Sequence, residues 1–264
     1  MADAPLSLDA AAAQLAERGW ALFPSVVPMA DLAAIRAAVL QSVDDCGRLQ
    51  VASGACPAPD GTAHHAVGQY PALDGFLERR WLAEYVSGFF DGAPYILHAF
   101  NPALVEPEGA SYLHNIHRDV RTHAGDFRLL LNMLVMVDPF TLENGATHVL
   151  SGSHRFDDRP ANEVFDALAD RLVGPAGSIV LFDSNLWHAA GHNRTDRARC
   201  ALTLSFSRAF VKQQMDYPRF LGGAYGARLT PAMRQLLGYE AMTPTSYEEF
   251  YRPRERRLYK AEQG

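Results

Sequence analysis

The stretch Tyr112-Leu-His-Asn-Ile-His-Arg-Asp-Val-Arg121 places a histidine and a carboxylate two positions apart, at His117 and Asp119. Residues 113–120 are predicted to form a strand, in which alternate side chains share a face, so His117 and Asp119 would project together and Arg118 away from them. Together with a third ligand, they would form the two-histidine, one-carboxylate arrangement that suits non-haem Fe(II). Because His-x-Asp is common by chance, a solvated or structural role is the alternative, and the downstream sequence must decide.

A second group of site candidates follows the predicted strand 178–182. That segment runs through a turn and ends on His188, and Arg199 stands immediately before the next predicted strand, Cys200–Arg208. His188 is far from His117 along the chain, so only a folded sheet can bring the two together. A guanidinium at Arg199 can bind a carboxylate in a bidentate manner with fixed geometry, which a lysine would do less specifically.

The wider pattern predicts a mainly β fold with flanking helices. Short β-type runs separated by Gly-, Pro- and Asn-rich turns are typical of a sandwich or barrel and not of βαβ units. They are predicted at 95–100, 113–120, 128–137, 146–150, 178–182 and 201–208. Helices are predicted at 7–19, 29–45, 73–89 and 162–172, and in the tail at 231–237 and 247–260.

The chain is expected to be a single domain over residues 1–264. Its expected parts are N-terminal helices within 1–50, a β core over 93–210 and a helical tail over 211–264. Residues 53–69, rich in Gly, Ala and Pro, form a segment too long and structureless for an idle connector, and we expect a mobile lid there.

Composition excludes several classes of partner. A net charge of −6 argues against non-specific binding to nucleic acid or to an anionic membrane, and the longest apolar run is too short to span a bilayer. Three widely spaced cysteines and the absence of a signal-peptide pattern predict a cytoplasmic protein. The expected partner is a small-molecule substrate, with a homodimer as an open alternative.

Five motifs in this order resemble the phytanoyl-CoA dioxygenase-like branch of the Fe(II)/2-oxoglutarate-dependent oxygenases. They are His117-Arg-Asp119, Glu143-Asn-Gly-Ala, Ser151-Gly-Ser-His154-Arg, Gly177-Ser-Ile-Val-Leu-Phe, and Trp187-His188 with Gly191, Asn193 and Arg199. The opening Glu17-Arg-Gly-Trp-Ala-Leu-Phe-Pro is also similar to the start of that family, and the resemblance covers about residues 8–210. It differs from the family pattern at Ser151, where a proline is usual, and at Ala190, where many relatives carry a small hydroxyl residue.

This resemblance implies a double-stranded β-helix, a jelly roll of the cupin type. It implies that His117, Asp119 and His188 are iron ligands and that Arg199 binds the distal carboxylate of 2-oxoglutarate. The cofactors implied are Fe(II), 2-oxoglutarate as cosubstrate, and O2, and the implied reaction is hydroxylation with release of succinate and CO2.

Several further polar residues are candidates for the site. Asn132 is a polar residue in an apolar strand, so either it meets a neighbouring backbone group or it contacts 2-oxoglutarate or substrate. His98 and Asn101, on the strand before the metal motif, are candidate substrate-binding residues. We expect His64 and His65 to be solvated, and His154, Asn144, His192 and Asn193 to shape loops. Trp187 is expected to serve packing.

Alternatives to hydroxylation remain at this stage. The same iron could support desaturation, ring closure, epimerisation or halogenation, or the chain could be a non-catalytic metal-binding member of the fold. A zinc hydrolase could also use two histidines and an aspartate, but it would not need Arg199. An acyl-CoA would require a basic groove, and basic residues cluster only at Arg252–Arg257. A small metabolite or natural-product intermediate is therefore the favoured substrate.

Overall fold

The computed structural model describes residues 6–107, 109 and 112–263, and two facing antiparallel sheets lie at its centre. The strands of these residues are, in chain order, β1 (Trp20–Phe23), β2 (Tyr95–Val105), β3 (Leu130–Met136), β4 (His148–Val149), β5 (Asp170–Arg171), β6 (Ile179–Asp183), β7 (His188–Ala189) and β8 (Arg199–Arg208). The larger sheet has the order β1-β6-β3-β8-β2 and the smaller one the order β5-β4-β7. All pairings are antiparallel.

Alternation along the strands divides the apolar side chains into two cores. On β8, Cys200, Leu202, Leu204 and Phe206 pack towards the helices, whereas Ala201 packs between the sheets. On β3, Leu131, Met133 and Val135 face the helices, and Leu134 and Met136 face the space between the sheets. This period of two identifies the odd-numbered residues of β8 and the even-numbered residues of β3 as the inner face, on which the site is built.

The helices surround the sheets and extend into the C-terminal tail. They are α1 (Leu8–Arg18), α2 (Met29–Ala52), α3 (Pro71–Glu78), α4 (Ala83–Phe89), α5 (Asn162–Leu168), α6 (Tyr217–Gly226), α7 (Pro231–Leu236) and α8 (Tyr247–Phe250). Helix α1 begins at a capping residue, Ser7, whose hydroxyl accepts from the Ala10 N–H. It ends at Gly19, whose φ of 83° is the left-handed conformation that closes helices and allows an immediate turn into β1.

The sequence-based strand over residues 113–120 is wrong. The segment begins with a 3₁₀ turn, Tyr112–His114, and continues as a loop. Its β-bridge, between His117 and His188, is isolated and is not part of a strand ladder. The segment is polar on both sides, so no apolar face fixes a strand register. The strand predicted at 146–150 shortens to the two residues of β4.

Several helix predictions also need correction. The predicted helix 73–89 is two helices, because Arg80 and Leu82 have positive φ angles of 48° and 57°. Helix α5 stops at Leu168 and the chain then enters β5, while α8 covers one turn because Pro253 interrupts the predicted 247–260 helix. Helix α2 continues to Ala52, beyond the predicted end, and α6 was not predicted.

The expected lid segment has two unlike halves. Residues 61–67 run along the outer edge of the larger sheet, where the Ala63 N–H donates to Pro102 O at 2.9 Å and the Ala66 N–H to Phe100 O at 3.1 Å. Thr62, Ala63, Ala66 and Val67 are buried there. Residues 53–59 are almost all exposed. A lid movement stays a prediction, and these contacts confine it to the first half of the segment.

Two expectations fall partly on residues that the structure does not describe. Residues 1–5 of the N-terminal region and Gly264 of the tail lie outside the described residues. Within the described part of the chain, no helix combines the length and the apolar character that a membrane crossing requires.

Candidate metal centre and its surroundings

His117, Asp119 and His188 converge between the sheets. Each offers one ligand atom, and the three atoms lie within 4.8 Å of one another. Asp119 Oδ1 is 3.8 Å from His117 Nε2, and Asp119 Oδ2 is 3.8 Å from His188 Nε2. Arg118 points the opposite way, towards Asp157 and the Trp187 ring. The predicted sharing of one side by His117 and Asp119 therefore holds, although the predicted strand does not.

A reciprocal pair of backbone hydrogen bonds sets the two histidines side by side. The His117 N–H donates to His188 O at 3.0 Å, and the His188 N–H donates to His117 O at 2.9 Å. Their ring centroids are 4.2 Å apart. His117 Nδ1 lies 2.7 Å from Asn115 O and His188 Nδ1 lies 2.9 Å from Leu186 O. Because a carbonyl oxygen only accepts, each Nδ1 carries the proton, which leaves both Nε2 lone pairs for a metal.

The carboxylate is held from the larger sheet. The Asp119 N–H donates to Ser184 O at 3.1 Å, and the Ser184 hydroxyl donates to Leu130 O at 2.9 Å. Asn132 Nδ2 donates to Asp119 Oδ2 at 2.6 Å, and Asn132 Oδ1 accepts from the Ser205 hydroxyl at 2.6 Å. The side chain of Asp119 is thus bonded directly to β3, and its backbone is connected to β3 through Ser184.

Asn132 therefore belongs to the site through Asp119. Only 3% of its surface is exposed, and its two hydrogen bonds join the carboxylate to β8. The sequence-based alternative of a backbone partner is wrong, since both of these partners are side chains. The contact with 2-oxoglutarate stays a prediction. Hydrogen bonds of this kind orient a metal-binding carboxylate and contribute to metal affinity.

Arg199 is a buried cation with one unused donor group. It is 3% exposed; Nε donates to Asn144 O at 3.1 Å, and Nη2 donates to Gly145 O at 3.0 Å. Its guanidinium carbon lies 3.7 Å from the centroid of the Phe140 ring. Nη1 is buried and has no hydrogen-bond partner among the described residues. Burial lowers the pKa of Arg199, and the charge of Asp138 opposes the shift.

These donors fit the group that the sequence implies. Two neutral imidazole nitrogens and one carboxylate oxygen match the non-haem Fe(II) set. A buried, positively charged donor without a partner is costly unless an anion binds beside it, so Arg199 Nη1 fits one carboxylate of 2-oxoglutarate. The two carbonyls that hold the guanidinium leave this one edge for a ligand.

His98 and Asn101 lie on β2, beside the site. His98 is half-buried, and its Nδ1 is buried without a partner among the described residues. Burial lowers the pKa of His98, and the negative charge of Asp119 opposes this shift. Asn101 Oδ1 accepts from the His65 N–H at 3.3 Å, so this amide oxygen anchors the 53–69 segment. Substrate binding by either residue stays a prediction.

Most of the loop residues have the structural contacts that were expected. His154 Nε2 lies 3.2 Å from Ala16 O, and Asn144 Nδ2 donates to Pro139 O at 2.8 Å. His192 stacks on His114 at 4.4 Å, and Asn193 Nδ2 donates to Val105 O at 2.8 Å.

The prediction of a solvated loop histidine holds for His64, which is exposed, but is wrong for His65. His65 has a φ of 59°, and its Nδ1 lies 3.0 Å from the hydroxyl of the buried Tyr217. The sequence shows no partner for a histidine at this position, because Tyr217 is distant along the chain.

Sequence reasoning missed the residues that support the candidate metal ligands. Ser184 and Ser205 were not singled out, although Ser205 interrupts the apolar strand 200–208 on the face that Asn132 also occupies. Two polar residues, Asn132 and Ser205, each in the middle of an otherwise apolar strand, are a signal from which their pairing could have been predicted. The contact of Arg199 with the Asn144-Gly145 turn had no signal beyond the turn motif itself.

Comparison with known proteins places this arrangement in a family. The phytanoyl-CoA dioxygenase (PhyH) family profile matches residues 16–201, so the chain belongs to this family. An uncharacterized protein of Mycobacterium tuberculosis is 38% identical over 148 residues, which are 56% of this chain and 54% of that protein. The iron/alpha-ketoglutarate-dependent dioxygenase penM of Penicillium thymicola is 31% identical over 115 residues, covering 42% of this chain and 35% of its own length. The chain thus spans about half the length, or less, of these curated relatives.

Solved structures share the fold. EctD from S. alaskensis, solved with 2-oxoglutarate and 5-hydroxyectoine, superposes with a TM-score of 0.60 at 21% identity, covering 78% of each chain. The non-haem alpha-ketoglutarate-dependent carbocyclase SnoK from nogalamycin biosynthesis gives a TM-score of 0.61 at 17% identity, covering 86% of this chain and 94% of SnoK. These likenesses confirm the expected double-stranded β-helix with flanking helices.

Proposed function

We propose that this protein is an Fe(II)- and 2-oxoglutarate-dependent oxygenase that hydroxylates a small metabolite or natural-product intermediate. His117, Asp119 and His188 would hold the iron, and Arg199 would bind the distal carboxylate of 2-oxoglutarate. The observation that carries the proposal is the pairing of this three-ligand cluster with a buried guanidinium whose Nη1 has no partner among the described residues. Membership of the PhyH family supports it.

The chain's own residues supply binding and orientation. Asn115 O and Leu186 O fix the two imidazoles with Nε2 turned to the metal, and Asn132 fixes the carboxylate. Iron and 2-oxoglutarate, when bound, supply oxidation by O2, in which one oxygen atom enters a substrate C–H bond and the other enters succinate as CO2 leaves. The protein decides which C–H bond reacts by holding it nearest to the metal.

The intact carboxylate bears on the outcome of the reaction. Asp119 would occupy the position at the metal that a halide would need, so halogenation is disfavoured. Desaturation, cyclisation or epimerisation at the same iron are the alternative outcomes, and the neighbour SnoK is named as a carbocyclase. The mass of the product distinguishes them: hydroxylation adds one oxygen atom, desaturation and oxidative ring closure remove two hydrogens, and epimerisation leaves the mass unchanged.

The rival functions make opposite demands on Arg199. A zinc hydrolase or a non-catalytic metal-binding protein has no use for an anion site beside the metal. A buried guanidinium with an unsatisfied N–H would then destabilise the fold without binding any ligand, since removal of a charged donor from water costs several kcal/mol. The arrangement therefore favours the oxygenase.

The test is the formation of succinate that depends on Fe(II), 2-oxoglutarate and O2. Purified protein is loaded anaerobically with Fe(II) and 2-oxoglutarate, exposed to air, and assayed for succinate. Wild-type protein should release succinate only when Fe(II), 2-oxoglutarate and O2 are all present, whereas His117→Ala should release none. A wild-type protein that neither binds 2-oxoglutarate nor forms succinate would overturn the proposal.

The remaining expectations on partners are part of the same proposal. We propose that the partner is a small molecule, that the protein acts in the cytoplasm, and that neither nucleic acid nor membrane binds it. A homodimer is the assembly to test by light scattering. Residues 53–60 are proposed to close over bound substrate.

A further inference from the structure

A bulge in β2 lies beside the metal centre. The register of β2 on β8 shifts between Leu97, which pairs with Phe206, and Ala99, which pairs with Ser205, so His98 has no partner in β8. The bulge is anchored by the segment after β8, because Gln213 Nε2 donates to Leu97 O at 2.7 Å and the Gln214 N–H donates to His98 O at 3.3 Å. Bulges beside active sites commonly redirect a side chain.

The redirected imidazole is on the inner face of the sheet. Its neighbour Ala99 pairs with Ser205, whose hydroxyl binds Asn132 and through it Asp119. The negative charge of Asp119 raises the pKa of His98, against the lowering by burial, which is consistent with an imidazole on the same face of the sheet as Asp119. His117 and His188 each have Nδ1 bonded to a carbonyl, but His98 has no side-chain hydrogen bond among the residues that the structure describes.

A second unpaired polar group lies on the neighbouring strand, β8. Ser207 is fully buried, its hydroxyl has no partner within the described part of the chain, and it pairs with Ile96 of β2 and Leu130 of β3. Ser207 follows Ser205 by two positions, so both lie on the inner face. A buried hydroxyl and a buried imidazole nitrogen without partners each require an explanation, and a ligand bound on the inner face would satisfy both.

The order along β8 separates two ends of the site. Arg199 lies at the beginning of β8, Ser205 in the middle at the level of Asn132 and Asp119, and Ser207 near the end. If 2-oxoglutarate lies between the metal and Arg199, the substrate is left with the end that carries His98 and Ser207. The residues paired with Ser205 and Ser207 at this end include three buried apolar ones: Ile96, Ala99 and Leu130.

We propose that His98 and Ser207 bind the substrate, and that this substrate is an uncharged molecule carrying a hydroxyl group, held by its hydroxyl at the end of the site away from Arg199. This proposal rests on the proposed oxygenase function. A neutral imidazole can donate one hydrogen bond and accept one, a serine hydroxyl can donate one and accept two, and neither offers a charge to a carboxylate or an ammonium group.

A matched set of probes tests the class of ligand. Protein loaded with Zn(II) and 2-oxoglutarate is titrated with cyclohexanol, cyclohexanecarboxylate and cyclohexylammonium, and the histidine ring resonances are followed by NMR. Cyclohexanol should bind most tightly and shift the His98 ring. Equal or tighter binding of either charged probe, or no response of His98 to any probe, would overturn the proposal.

Variants separate this inference from the function on which it rests. His98→Leu should weaken cyclohexanol binding by about three- to tenfold, the factor expected for one neutral hydrogen bond, with 2-oxoglutarate affinity within a factor of two of wild type. His98→Asn retains a polar atom near the Nδ1 position and should recover part of that loss. Loss of 2-oxoglutarate binding in His98→Leu would place His98 at the cosubstrate instead, whereas a wild-type protein that fails to bind 2-oxoglutarate would refute the oxygenase assignment itself.

Discussion

Replacing Arg199 by alanine should weaken the binding of 2-oxoglutarate and leave the binding of metal nearly unchanged. Two of the guanidinium nitrogens are committed to Asn144 O and Gly145 O, so Nη1 is the group left for a carboxylate. A hydrogen bond to a charged group contributes about 1.5–3 kcal/mol, which corresponds to roughly a ten- to a hundredfold loss of affinity.

Calorimetry under anaerobic conditions measures both affinities. Mn(II) replaces Fe(II) to avoid oxidation, and 2-oxoglutarate is titrated into the Mn(II)-loaded protein. Arg197→Ala is the matched control, because Arg197 is exposed and lies two positions away. Arg199→Lys should fall between wild type and Arg199→Ala, since an ammonium retains the charge and loses the planar fork.

Thermal unfolding of each variant shows whether a loss of 2-oxoglutarate binding results merely from unfolding of the protein. If Arg199→Ala keeps its melting temperature near that of wild type and binds 2-oxoglutarate as tightly as Arg197→Ala does, the assignment of Arg199 is wrong. The unpaired Nη1 would then have to serve another ligand.

Four further changes test the surroundings of the site. Asn132→Leu should lower Mn(II) affinity by roughly ten- to a hundredfold, because Asp119 loses the hydrogen bond that orients it, and an unchanged affinity in calorimetry would contradict this. Asp119→Gly should open a position for chloride and reduce hydroxylation sharply; a chlorinated product from wild-type protein, seen by mass spectrometry in excess chloride, would refute the ligand assignment. Burial and the nearby His64 and His98 lower the pKa of His65 to about 4. The free energy of unfolding should therefore fall as the pH drops from about 6.5 to 4, because in this range the unfolded chain binds a proton at His65 and the native state does not. Urea titrations should show that His65→Asn removes roughly 1–2 kcal/mol of this fall and retains the positive φ. Proteinase K should cut residues 53–60 more slowly once substrate is bound, and cleavage indifferent to substrate would make the segment a plain linker.

The convergence of His117, Asp119 and His188 could be predicted from sequence because these residues stand in motifs whose order resembles that of a known family. No single motif is decisive, but a histidine and an aspartate two positions apart, a distant histidine after a strand and an arginine at the start of the next strand follow one another in the order of that family. Short, mainly apolar runs between turn residues similarly predict β3, β6 and β8, and one face of each of these strands is buried against helices.

The contacts that tune the site could not be predicted in this way. The bond between Asn132 and Asp119 joins two segments whose proximity depends on the complete fold. The predicted strand over 113–120 is wrong because tertiary contacts place His117 opposite His188 in an isolated bridge, and the segment forms no strand ladder. The bulge at His98 is invisible in the sequence, since an extra residue in a strand changes the register without changing the composition.

The register of β3 on β8 determines whether the site exists. Asn132 pairs with Ser205, and Arg199 lies on the same inner face three alternate positions earlier in β8. Because side chains alternate with a period of two, a slip of one residue in either strand would turn its inner-face residues towards the helices. The helix-facing side of these strands is a continuous apolar row, which includes Leu131, Met133, Leu202 and Leu204, and such a slip would expose it to the polar inner space. The helices that cover this row lie on the opposite side of the sheet from the candidate metal ligands, yet they fix the register that brings Asn132 to Asp119. The hydrophobic core on one side of the sheet is therefore what orients the carboxylate on the other.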